Sequence, residues 1–137
     1  MQRKSIKAAV AGLSLLVAPI AASHAERPHE HVQPVYSAKL PNIPGKAITA
    51  VIVTYPPGGA SLKHHHAGSV FAYVLSGAIR SETSSTGPAR VYRPGEVFFE
   101  PPGSEHLISA NASDTEPASL LAVIIADEGA TLTTNDP

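Results

Sequence analysis

Proline and glycine interrupt this chain at intervals too short for helices. Pro56-Pro57-Gly58-Gly59, Ser76-Gly77, Thr86-Gly87-Pro88, Arg93-Pro94-Gly95 and Pro101-Pro102-Gly103 bound short apolar, β-branched runs. Those runs are Ala47 to Tyr55, Val70 to Leu75, Val97 to Phe99 and Leu120 to Ala126. Proline lacks an amide hydrogen and glycine enters turn conformations freely, so both end regular structure. Brief apolar runs between such corners read as strands. Strands at this spacing, with no helix-length periodic segment, predict an all-β chain built as an antiparallel sandwich or barrel. Asn111 to Ala118 reads as a polar loop before the last strong strand.

The two ends read differently from the middle. Arg3, Lys4 and Lys7 precede an almost wholly apolar run, Ala8 to Ile20, and Ser23-His24-Ala25 places small residues where a signal peptidase cuts. Residues 1–25 are therefore expected to be a signal peptide, and the protein to be periplasmic or secreted. The apolar run is shorter than the ~20 residues a spanning helix needs, which argues against a membrane anchor. Arg3-Lys4 is a weak match to a twin-arginine export signal. Pro28, Pro34, Pro41 and Pro44 predict an extended arm over residues 26–44, laid along a neighbouring subunit, before a barrel domain over 45–128 and a loose tail over 129–137. The residues after the leader suffice for one domain.

There is no cysteine, so neither disulfides nor a lipid-attachment thiol are available. Without Arg3, Lys4 and Lys7, seven Lys plus Arg face 11 Asp plus Glu, a net charge of about −4. That balance argues against nucleic acid or an anionic membrane surface as partner and leaves a small organic molecule.

Three consecutive histidines, His64-His65-His66, fall in strand-like sequence. Side chains alternate along a strand, so His64 and His66 share a face and His65 takes the other. His106 lies 40 residues beyond His66, and only a fold that brings distant strands together would add it to the pair. Solvated surface histidines are the competing reading. That reading prevails for His65, and for His29 and His31 in the arm.

Two motifs resemble those of the cupin superfamily. The first runs from Gly58 or Gly59 through His64-x-His66 to Gly77; the second comprises Gly95, Pro101-x-Gly103 and His106. Two departures stand out. The glutamate of the first motif falls at Val70, and the asparagine of the second falls at Ala110, with Asn111 one residue late. The resemblance covers roughly residues 45 to 127 and implies a single-domain cupin-type β-barrel, a double-stranded β-helix or jelly roll. It further implies one divalent transition metal (Fe, Mn, Zn, Ni or Cu) on His64, His66 and His106. Imidazole ligands do not choose among these metals.

Because Val70 cannot ligate, three neutral imidazoles would leave the ion its full charge and open positions for substrate, oxygen or water. The resemblance then implies a metal-dependent enzyme acting on a small oxygenated molecule, with a dioxygenase of the three-histidine type as the first reading. A metal-dependent lyase or isomerase, or a non-catalytic periplasmic metal- or ligand-binding cupin, are the alternatives. Glu100, Glu105, Tyr73, Tyr92, Arg80 and Arg93 are candidate acid or base groups, and no spacing ties any of them to the site. Alternation predicts Val70, Ala72 and Val74 inside, with Phe71, Tyr73 and Leu75 forming a second apolar face that suggests a homodimer.

Overall fold

The computed structural model describes residues 28–137. The expected signal peptide, residues 1–25, lies outside the described residues. Ten strands form and no helix among the described residues. They are β1 (His31–Lys39), β2 (Lys46–Tyr55), β3 (His64–His66), β4 (Ser69–Ser76), β5 (Ile79–Thr83), β6 (Arg90–Tyr92), β7 (Val97–Glu100), β8 (Glu105–Asn111), β9 (Ala118–Asp127) and β10 (Thr133–Asn135). Two five-stranded antiparallel sheets result, ordered β1-β2-β9-β4-β7 and β10-β3-β8-β5-β6. This is the antiparallel sandwich that the turn spacing predicts, in the jelly-roll form that the cupin resemblance implies.

Period-two alternation sets the core. Val70, Ala72 and Val74 of β4 point inward and are at most 1% exposed, while Phe71, Tyr73 and Leu75 between them face out. β9 contributes Ala118, Leu120, Ala122, Ile124 and Ala126 to the same interior. The corners need glycine for steric reasons. Gly77 turns from β4 toward β5 at φ +67°, and a Cβ there would come within 2.5 Å of the Pro117 carbonyl oxygen. At Gly68, between β3 and β4, a Cβ would run into the Ile125 backbone, so only glycine lets the two strands approach β9 this closely.

Both ends differ from expectation. β1, within the expected arm, is an edge strand paired with β2, from His31 opposite Thr54 to Lys39 opposite Ala47. Pro34 is tolerated because edge strands have one unpaired side, and the register shifts between Pro34 and Tyr36. Nor is the tail loose throughout, since β10 pairs with β3, setting Thr133 opposite His66 and Asn135 opposite His64.

A register shift where β5 meets β8 explains the late asparagine. Glu82 lies opposite Ile108 and Thr83 opposite His106, so Leu107 is the extra residue. The extra residue reverses the alternation, and Asn111 rather than Ala110 is the buried one. Its amide donates to the carbonyls of Pro56 (3.1 Å) and Glu116 (2.7 Å) and its oxygen accepts from the Ser113 amide (2.9 Å), tying two loops together.

Candidate metal centre

β3 lies between β10 and β8, with His64 directly opposite His106. The 42-residue separation of His64 and His106 in sequence thus becomes a neighbouring cross-strand pair. His66, two residues along β3, joins from the same face. The His64 ring centroid is 4.9 Å from that of His66 and 5.0 Å from that of His106. One ring nitrogen from each histidine lies within 4.8 Å of the others, a grouping that could hold a metal ion.

The outward nitrogens are held by the protein. His64 Nδ1 donates to the Leu62 carbonyl at 2.7 Å, and His66 Nδ1 donates to the Leu132 carbonyl at 3.1 Å. Each such bond fixes the tautomer that leaves Nε2 unprotonated, which is how proteins orient imidazole ligands. His106 is gripped at Nε2 by the Ser81 hydroxyl at 2.9 Å, leaving Nδ1 toward the interior. Burial, reinforced by the neighbouring histidines, pushes His66 down to about 4 and His106 down to about 3. Both rings are therefore neutral at pH 7, with lone pairs available.

The cluster opens on a cavity of about 220 Å³ between the sheets, walled by Val51, Val70, Ala72, Leu120 and Ile124. At roughly 30 Å³ per water molecule, that holds a small organic molecule. In the same cavity, the Tyr55 hydroxyl bonds the hydroxyls of Ser109 (2.6 Å) and Ser61 (2.9 Å).

Of the six acid or base candidates, the fold brings only Glu100 to this cavity. It is 3% exposed, and its Oε1 lies 3.3 Å from His106 Nδ1 and its Oε2 4.0 Å from His66 Nε2. Burial raises its carboxyl to about 7. Glu105 is exposed and pairs with Lys63 at 3.3 Å. Tyr73 points outward, Tyr92 packs on Phe98 with ring centroids 4.9 Å apart, and Arg80 and Arg93 are exposed. His65 faces away, with Nδ1 2.7 Å from Asp136 Oδ1. His29 and His31 are exposed and stand apart from the cluster.

Residues 51–124 match the cupin domain family, and the chain belongs to it. A cupin-like protein from Thermotoga maritima superposes with a TM-score of 0.60 at 18% identity, over 78% of this chain and 75% of that one. A DMSP lyase from Ruegeria pomeroyi gives 0.55 at 22% identity, over 64% of this chain and 42% of the lyase. Bacillus subtilis oxalate decarboxylase, which has Mn(II) centres, gives 0.54 at 29% identity, over 64% of this chain and 23% of the decarboxylase. No curated protein matches significantly.

Proposed function

We propose that this protein is an exported, metal-dependent cupin enzyme acting on a small oxygenated organic molecule, with dioxygenase chemistry as the first reading. One observation carries it: inward-facing imidazole nitrogens converge at the wall of a mostly apolar cavity. A closed structural metal site would be ringed by ligands, whereas this one faces free volume. When bound, a divalent metal supplies Lewis acidity toward a substrate oxygen and, for iron, a redox partner for dioxygen.

The chain's own residues do the rest. Val51, Val70, Ala72, Leu120 and Ile124 exclude water and seat the apolar part of the substrate. The Leu62 and Leu132 carbonyls and the Ser81 hydroxyl keep the imidazoles aimed. Tyr55, held by two serine hydroxyls, offers a polar contact in the same cavity.

A second reading, redox-neutral cleavage or decarboxylation, draws support from the 29% identity to oxalate decarboxylase. The test reconstitutes metal-free protein with Fe(II), Mn(II) or Zn(II) and offers β-diketones, hydroxyketones, catechols and small carboxylic acids. Dioxygen uptake that tracks product and is lost in His106→Ala supports the first reading. Turnover without dioxygen uptake supports the second. Saturable ligand binding with no turnover under any metal would make the protein a non-catalytic binder and defeat both. The exposed apolar face of β4 and β7 also supports a homodimer.

A further inference from the structure

Val70 and Glu100 stand directly opposite each other on β4 and β7. Directly opposite residues on one face of a sheet have Cβ atoms about 4.5–5.5 Å apart, a distance a glutamate side chain spans. Val70 stands where the family motif carries its carboxylate. Its cross-strand neighbour therefore sends a carboxylate into the same volume from one strand over.

Glu100 Oε2 and His106 Nδ1 are both buried without a hydrogen-bond partner among the described residues. No lysine or arginine among the described residues pairs with Glu100, whose two ion-pair contacts are His66 and His106. A buried carboxylate facing imidazole lone pairs is unfavourable unless a proton or a metal cation lies between them, and a metal ion satisfies all of these atoms at once. Two donors on one ion, each about 2.0–2.2 Å from it, end up roughly 3–4 Å apart. The 3.3 Å and 4.0 Å separations fit that span.

We propose that Glu100 is the anionic ligand of the centre, replacing from β7 the carboxylate that Val70 removes from β4. The centre then has three imidazoles and one carboxylate, and the ion keeps less of its charge than three histidines alone would leave it. This rests on the metal-centre reading above.

The test titrates the metal-free protein with Mn(II), following free Mn(II) by its electron paramagnetic resonance signal, with melting curves to verify folding. Glu100→Gln keeps the side chain's shape and its hydrogen-bonding capacity but not its charge. It should bind at least about tenfold more weakly than the unmodified protein. Glu100→Val should be as weak, and adding Val70→Glu to it should restore most of the loss by returning the carboxylate to the other strand. Unchanged affinity in Glu100→Gln overturns the proposal, and so does a swapped variant that binds no better than Glu100→Val. If the unmodified protein binds neither Mn(II) nor Zn(II) nor Fe(II), the metal-centre reading itself fails and takes this proposal with it.

Discussion

Alternate residues of β4 and β7 build two surfaces of opposite character. Val70, Ala72, Phe98 and Glu100 face inward and are each no more than 6% exposed. Phe71, Tyr73, Val97 and Phe99 face outward, and each is 39–51% exposed. Small inward residues leave room for a cavity and one carboxylate beside the histidines. Large outward residues form a contiguous apolar patch, with Phe71 opposite Phe99 and Tyr73 opposite Val97, that the described residues do not cover. Patches of that kind on soluble domains mark association surfaces, whereas scattered single residues do not. Under the proposed function the inner face serves chemistry and the outer face serves assembly, and substitutions should separate the two.

The sharpest break should come from the inner side. His106→Ala removes one of the three imidazoles and should lose most of the bound metal, on the order of a hundredfold in affinity. Elemental analysis after dialysis checks it, and near-stoichiometric metal in the triple variant His64→Ala, His66→Ala, His106→Ala would place the site elsewhere.

Next comes the outer side. Phe71→Glu with Phe99→Glu puts two like charges opposite each other on the exposed patch. Light scattering should read a dimer for the unmodified protein and a monomer for the variant, with metal content unchanged. A monomeric unmodified protein would leave the patch without the role given to it here.

Acid should then weaken the inner face through its histidines. His66, near 4, and His106, near 3, sit below the ordinary value of about 6.5. Their contribution to stability is therefore present above pH ~6.5 and is lost as pH falls toward 4. Glu100, raised to about 7, acts oppositely, its contribution being present below the ordinary carboxyl range and lost as pH rises through 7. Two histidines outweigh one carboxyl, so the Tm of the metal-free protein should fall between pH 6.5 and 4.5, and more steeply in Glu100→Gln. A Tm that climbs on acidification over that range would contradict the burial of these rings.

The smallest effect belongs to His65→Ala. It removes a partly exposed contact with Asp136 and should cost less than about 1 kcal/mol, leaving metal content unaltered. A large metal loss there would mean that the orientation of β3 has been misassigned.

The sequence exposed most of this architecture because its signals were local. Turn residues marked the corners, and alternation placed Val70, Ala72 and Val74 inside. The two motifs brought His106 to His64 and His66. The role of Glu100 was not legible, since it depends on the β4–β7 register, which no local spacing encodes. β1 and β10 were hidden for a different reason. β1 carries Pro34 and mostly exposed side chains, and β10 is three polar residues, so backbone hydrogen bonds rather than apolar pattern hold both in place.

The Leu132 carbonyl that steadies His66 lies 66 residues further along the chain. It also follows His106 and Glu100 in sequence. A ribosome therefore delivers every candidate ligand before the group that aims His66. Until that carbonyl arrives and β10 docks on β3, the His66 ring lacks the backbone bond that fixes its tautomer. The order of synthesis delays the finished donor geometry until the β-sandwich is nearly whole, so a metal taken up by this cluster would meet a folded protein rather than a nascent chain.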